Sequence, residues 1–89
     1  MAIKRTMKLV HRVKWSIKNE TKIVDGYVFN DTRRYFGIII ISETVSNKVT
    51  SCILDPIYFT KLSDAVEWVD SAIKFDMFSS ENWELRMKY

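Results

Sequence analysis

The chain is poor in the residues that interrupt or cross-link a fold, with one proline, two glycines and one cysteine among its 89 positions. A single cysteine excludes an internal disulfide. So few prolines and glycines leave little room for long irregular loops. Disorder is excluded as well, because 47% of the residues are hydrophobic and the net charge is only +3.

The sequence also lacks a long apolar segment. Its longest apolar run, residues 35–41, is far shorter than the roughly 20 residues that span a bilayer. The basic N-terminus does not resemble a secretory signal, and its period of two argues against the alternative of a transit peptide. We therefore expect a soluble cytoplasmic protein. Its length predicts a single α+β domain over residues 1–89, with residues 1–6 as a flexible basic tail.

A first strand is predicted over residues 7–18, where apolar and polar positions alternate. We expect the odd positions, from Met7 to Ile17, to face the interior. The even positions should face outward, and most of them are cationic. This outward set comprises Lys8, Val10, Arg12, Lys14, Ser16 and Lys18.

Three further strands are predicted over residues 23–29, 34–45 and 49–59, separated by polar turns. The third contains four consecutive isoleucines, Ile38–Ile41, which cannot alternate. That run indicates an interior strand covered on both faces. Pro56 cannot donate a ladder hydrogen bond and therefore marks a bulge or an edge in the fourth strand.

The period changes to a helical one after Thr60. Ser63 or Asp64 is the expected N-cap, and the helix should end near residues 75–78. Its inward stripe comprises Ala65, Val66, Trp68, Val69, Ala72 and Ile73, while Glu67, Asp70, Ser71 and Lys74 should face water. Alternation resumes over residues 83–89 and predicts a short final strand.

These elements predict an α+β fold in the order β-β-β-β-α-β, with an antiparallel sheet of four to five strands and one helix packed on one face. The other face would carry the cationic side of the first strand and part of the isoleucine run. Because a half-apolar face is rarely left bare, we expect a second copy of the chain to cover it in a homodimer.

No catalytic or metal-binding constellation is evident, and we expect neither an enzyme nor a cofactor. His11 is the only histidine and is interpreted as a hydrogen-bonded core or interface residue. Cys52 is expected to be a buried small hydrophobe. The helix carboxylates, Asp64, Glu67 and Asp70, are explained by capping and by the helix dipole.

Positive charge is concentrated at the N-terminal end of the chain. Residues 1–34 contain nine basic and three acidic residues, whereas residues 35–89 contain five basic and eight acidic ones. A basic region of this kind is typical of a phosphate-binding surface. Its alternative explanation is a solvated edge strand that discourages aggregation. The predicted nucleic-acid-binding residues are Lys4, Arg5, Lys8, Arg12, Lys14, Lys18, Arg33 and Arg34.

Aromatic residues cluster around the second predicted hairpin, beside Arg33 and Arg34. They are Tyr27, Phe29, Tyr35 and Phe36. Aromatic rings next to arginine on a sheet are what single-stranded nucleic acid binding uses, although an ordinary hairpin core has the same composition. The three tryptophans, Trp15, Trp68 and Trp83, fall on faces assigned to the interior.

The run from Tyr58 to Val69, YFTKLSDAVEWV, resembles the strand-to-helix passage of small sheet-plus-helix domains. Among these are the three-stranded DNA-binding domains of the plant AP2 and phage integrase arm-binding type. The fourth and fifth strands depart from that pattern, so no DNA-contacting residue is carried over. In overall style the chain is similar to small early host-takeover and anti-defence proteins of T4-like phages, a resemblance without a diagnostic motif.

The leading functional hypothesis is a nucleic-acid-binding module, with RNA ahead of DNA. The alternative is a protein-binding inhibitor of a host enzyme or toxin, with Val10 and the isoleucine strand as its apolar centre and lysines as its rim. A structural subunit of a larger assembly is a third possibility. Charge reversal at Arg12 and Lys14 should weaken nucleic-acid binding several-fold.

Overall fold

The computed structural model describes residues 7–74 and 82–89. These residues form six strands and one α-helix, with a short 3-10 turn at Ala72–Lys74 after the helix. The elements in chain order are β1 (Met7–Ser16), β2 (Lys22–Asp31), β3 (Arg34–Val45), β4 (Lys48–Ile53), β5 (Ile57–Phe59), α1 (Leu62–Asp70) and β6 (Glu84–Lys88). None of the described helices is long and apolar enough to cross a lipid bilayer.

All six strands form one antiparallel sheet in the order β4-β3-β2-β1-β6, and β5 pairs with β3 beyond the end of β4. The helix packs on one side of this sheet, which confirms the predicted α+β class with a single helix on one face. We call the side that α1 covers the helix face and the opposite side the open face.

Small residues on two neighbouring strands let the helix lie close to the sheet. A Cβ atom added at Gly26 would lie 2.3 Å from Cγ1 of Val69, and one added at Gly37 would lie 2.7 Å from the ring of Trp68. Val24 and Val28, on either side of Gly26 along the helix face, are fully buried. The core therefore forms where α1 meets β2 and β3.

The predicted helical stripe is confirmed, but the helix ends differ from the prediction. Ala65 and Val69 are buried against the sheet. The N-cap is Lys61, whose extended backbone begins the helix without a side-chain hydrogen bond, so the predicted Ser63 or Asp64 cap is wrong. Asp64 instead lies in the first turn, where its negative charge interacts favourably with the positive end of the helix dipole. The helix ends at Asp70, and residues 75–78 lie outside the described part of the chain.

The first strand carries a β-bulge that reverses its predicted alternation. Its pairing with β2 shifts between Leu9 and His11, so Val10 is the extra residue. Leu9 therefore lies opposite Phe29 on the open face, whereas His11 and Val13 lie on the helix face. The expectation that all odd positions face inward holds only after the bulge.

The final strand pairs with β1 and removes it from the edge of the sheet. β6 lies antiparallel to β1, and two backbone hydrogen bonds of 2.8 and 2.9 Å join Arg12 to Tyr89 beyond the end of β6. The interpretation of β1 as a solvated edge strand is therefore wrong. The alternation predicted for residues 83–89 is also interrupted, because a second bulge separates the partners of Lys14 and Trp15.

A polar cluster ties β1, α1 and β6 together on the helix face. Nε2 of His11 lies 2.7 Å from Oδ1 of Asp70, and Nζ of Lys88 lies 3.1 Å from the other carboxylate oxygen. His11 is only 7% exposed, which confirms a hydrogen-bonded core histidine. Asp70 does not face water as predicted, since it is the half-buried partner of both His11 and Lys88.

The predicted fourth strand is divided at Pro56, as a residue without an N–H requires. Its first part, β4, forms a hairpin with β3 through Ser46 and Asn47, both at positive φ, which is the geometry of a type I′ turn. All six residues of β4 are exposed. Cys52 is therefore exposed, and its predicted burial is wrong because α1 does not extend over this hairpin.

The isoleucine run lies in β3, between β2 on one side and β4 and β5 on the other, as predicted for an interior strand. Only Ile39, on the helix face, is fully buried. Ile38 and Ile40 are half-buried on the open face. The run is thus fully covered on one face only.

Candidate nucleic-acid interface

The strand register places four aromatic rings on the open face. Tyr27 and Phe29 alternate with the buried valines of β2, and Phe36 lies opposite Phe29 on β3. Tyr58 of β5 lies opposite Phe36. Because side chains directly opposite each other share a face, the four rings form one continuous row, which we call the aromatic row.

The rings of the aromatic row contact each other in sequence. The centroids of Tyr27 and Phe29 are 6.2 Å apart and those of Phe29 and Phe36 are 5.3 Å apart, with 20° between the planes in both pairs. Phe36 and Tyr58 follow at 5.8 Å with a 50° tilt. These separations are those of offset and tilted aromatic pairs.

An arginine lies against the ring at each end of the aromatic row. The guanidinium carbon of Arg12 is 5.0 Å from the centroid of Tyr27, and that of Arg34 is 4.1 Å from the centroid of Tyr58. Both are within the range of a cation–π contact. Each end of the row therefore presents an aromatic ring beside a fixed positive charge.

Burial varies along the aromatic row. Phe36, at its centre, is only 7% exposed because Phe29 and Tyr58 flank it on both sides. Tyr58 is 54% exposed, and Tyr27 and Phe29 are half-buried. The ring at the centre of the aromatic row is thus buried by its neighbours, and the rings on either side of it are more accessible to a ligand.

The open face carries both signs of charge, and part of its positive charge is neutralised. Arg12 lies 3.4 Å from the carboxylate of Asp25, and Arg86 lies 2.9 Å from that of Glu84. Lys14 and Arg34 take part in no ion pair within residues 7–74 and 82–89. These two cations can therefore bind an external anion without losing an internal partner.

The structure brings together three of the eight predicted basic residues, Arg12, Lys14 and Arg34, on the open face. Lys8 lies on the helix side of the sheet because the bulge at Val10 reverses the alternation there. Lys18 and Arg33 are exposed in the turns after β1 and β2. Lys4 and Arg5 lie outside the described residues.

Val10 was also assigned to the open face, and that prediction is wrong for the same reason. Its side chain packs against the buried cluster beneath α1. An apolar centre built on Val10 is therefore not present on the open face. Met7 and Leu9, which were expected inside, face that side instead.

The four aromatic residues around the second hairpin divide between the two faces of the sheet. Tyr27, Phe29 and Phe36 share the open face, but Tyr35 packs against the helix-face core. Trp15, Trp68 and Trp83 pack against buried clusters, as expected.

Two aromatic residues of the open face were missed by the sequence reasoning, namely Tyr58 and Tyr89, which lies opposite Arg12. Tyr58 could have been found by pairing Ile57–Phe59 with β3 separately from β4. No comparable signal predicts the position of Tyr89, because it depends on β6 returning to β1.

The arrangement can hold a planar ring and an anion at neighbouring positions. Flat π-surfaces beside guanidinium groups suit a stacked base and its phosphate. Within the described residues, no group of three or more His, Cys, Asp or Glu side chains could hold a metal ion. No family model, no curated protein sequence and no solved structure matches this chain, so its function is inferred from the chemistry of the open face.

Proposed function

We propose that this protein is a small non-enzymatic binding module that holds nucleic acid on the open face of its sheet, with RNA ahead of DNA. The observation that carries the proposal is the aromatic row with Arg12 and Arg34 at its ends. A cytoplasmic location, in the host if the chain is phage-encoded, belongs to the same proposal.

The geometry of the row favours a single strand over a duplex. Stacking on an aromatic side chain contributes about 1–3 kcal/mol per base, and a base can stack on a protein ring only when it is unpaired. A duplex keeps its base faces inside the helix. RNA is ranked first because sequence-specific RNA binding usually targets unpaired, splayed-out bases.

Electrostatics supply a second contribution of limited size. Arg12, Lys14 and Arg34 could each contact one phosphate. Three contacts give a salt slope near −2 for a single strand, so a fourfold rise in salt should lower the affinity roughly 20-fold. Binding should therefore depend on salt while retaining a stacking component.

Fluorescence anisotropy with labelled single-stranded RNA, single-stranded DNA and duplex DNA tests the proposal at about 50 and about 200 mM salt. We expect the single strands to bind more tightly than the duplex and their affinity to fall roughly 20-fold between the two salt concentrations. Absence of binding to all three at the lower salt would overturn the proposal.

Two neighbouring arginines provide a matched pair of variants. Arg34→Ala removes the guanidinium that lies on Tyr58, whereas Arg33→Ala removes the same charge from the turn. We expect about a tenfold loss of affinity for Arg34→Ala and about twofold or less for Arg33→Ala, since stacked and phosphate-paired arginine is worth more than net charge. Equal losses in both variants would remove the aromatic row from the site.

A second candidate is a protein-binding inhibitor that uses the same face, such as a phage factor acting on a host enzyme or toxin. The observation that favours it is the apolar surface that the bulge brings to the open face, including Leu9 and Met7, which is 56% exposed. Tyrosine and arginine are also enriched at the centres of protein interfaces. Such an interface would bind its partner with little dependence on salt, which separates the two functions.

A further inference from the structure

The two edge strands of the sheet differ in how they are protected. β6 carries three charged residues, Glu84, Arg86 and Lys88, and its pairing with β1 contains a bulge. These features discourage further strand pairing. β4 pairs with β3 without a shift in register and contains no charged residue after Lys48. Its outer edge is paired with no strand among residues 7–74 and 82–89.

The backbone of β4 presents a regular set of hydrogen-bonding groups at this edge. The amide of Leu54 donates to the carbonyl of Ile39 at 2.9 Å. Because inward and outward pairs alternate in an antiparallel ladder, the N–H and C=O groups of Val49, Ser51 and Ile53 are directed away from β3. The edge therefore offers three donors and three acceptors.

We propose that the outer edge of β4 pairs with β4 of a second copy of this chain, antiparallel and about a two-fold axis at Ser51. In this register Ser51 meets its own counterpart, and Val49 meets Ile53 of the second copy in both directions. The three pairs form six backbone hydrogen bonds. The inference does not rest on nucleic-acid binding.

The side chains of β4 are self-complementary in this register. Val49 and Ile53 are 67% and 63% exposed, and both lie on the open face. Pairing would place each against the other, which covers two apolar side chains per copy. At the ends, Lys48 of one copy would lie opposite Leu54 of the other, so no like charges meet in this register.

The same axis has a consequence for the open face. Two strands that pair edge to edge about a two-fold axis keep their sheets continuous, with equivalent faces on the same side. Both aromatic rows would then face the same way on one long sheet. The sequence predicted a second copy that covers the open face, whereas the copy proposed here would pair at an edge of the sheet and leave the open face free.

Cysteine cross-linking tests the register directly. Thr50 would lie opposite Cys52 of the second copy in a non-hydrogen-bonded pair, where Cα atoms are about 4.5 Å apart, within the range that a disulfide needs. We expect Thr50→Cys to form covalent dimers rapidly under mild oxidation. The wild type should not, because two Cys52 residues would be diagonal neighbours about 7–8 Å apart. The double variant Thr50→Cys/Cys52→Ser is the matched control and should also form no covalent dimer, because it lacks the thiol opposite position 50.

Sedimentation velocity on the unmodified protein completes the test. We expect the fraction of dimer to rise as the protein concentration is raised to about 0.5 mM. Val49→Lys should abolish the dimer by placing a charge at the paired edge, whereas Val45→Lys, at a similarly exposed position on β3 (58% against 67%), should not.

Three results would overturn the proposal. They are equal cross-linking of Thr50→Cys and its control, a wild-type monomer at all concentrations, and equal effects of the two lysine variants. A chain that binds RNA and is monomeric would refute this inference while leaving the proposed function intact.

Discussion

The two faces of the sheet are built by alternate residues of the same strands, and they differ in side-chain size. On β2, the helix face is Val24, Gly26 and Val28, all buried. The open face of the same strand is Asp25, Tyr27 and Phe29. Small residues let a helix approach the sheet within van der Waals distance, whereas aromatic and charged residues leave no room for a helix to pack as closely. The difference separates a surface that stabilises the fold from one that is free to bind.

The first strand repeats this division after its bulge. His11 and Val13 are buried beneath α1, while Arg12 and Lys14 lie on the open face. His11 is satisfied by Asp70 within the fold. Lys14 has no ion-pair partner among the described residues. The polar groups of the helix face therefore serve stability, whereas Lys14 on the open face can bind an anion without losing an internal partner.

The largest effect is expected on stability, when a small residue of the helix face is replaced by a larger one. Gly26→Ala should destabilise the protein by about 2 kcal/mol, because the new methyl group overlaps Val69 and overpacking typically costs about 1–3 kcal/mol. Asp25→Glu adds a methylene on the open face of the neighbouring residue and should change stability by about 0.5 kcal/mol or less. Urea denaturation measures both. Similar losses in the two variants would contradict the division between the faces.

A smaller effect is expected on RNA affinity, when a lysine on one side or the other of β1 is replaced by glutamate. Lys14→Glu should lower the affinity for single-stranded RNA by roughly tenfold at about 50 mM salt and reduce the salt slope by about 1. Lys8→Glu makes the same change in net charge on the helix side of the sheet and should have a much weaker effect. Anisotropy titrations of both variants decide the matter, and a stronger effect of Lys8→Glu would place the binding surface elsewhere.

The smallest effect is expected at Cys52. Cys52→Ser should leave the free energy of unfolding unchanged within about 0.5 kcal/mol, because the side chain is exposed beyond the end of the helix. The thiol should also react readily with a maleimide in the folded protein. A loss of more than about 1 kcal/mol in the free energy of unfolding would mean that the Cys52 side chain is buried in the core.

Much of the fold could be predicted from periodicity. The presence of strands at β2 and β6, the helical stripe of α1 and the break at Pro56 all follow from local residue patterns. The buried role of His11 followed from its apolar neighbours along the strand. These features depend on contacts within one element or between an element and the core.

The remaining features depend on pairing between distant parts of the chain. The bulge at Val10 reverses the faces of Met7–Leu9, and nothing in the local alternation signals it. The return of β6 to β1 brings Tyr89 opposite Arg12. Tyr58 joins the aromatic row only because β5 pairs with β3 separately from β4. The sequence therefore identified most of the rings but not the row that they form.

Ligand binding should be confined to the open face. This can be measured by a nuclear magnetic resonance titration of the 15N-labelled protein with a short single-stranded RNA. We predict shift changes at Arg12, Tyr27, Phe29 and Tyr58, with the solvent-facing side of α1 unaffected. Changes centred on Glu67 and the exposed side of α1, or no changes at millimolar RNA, would contradict it.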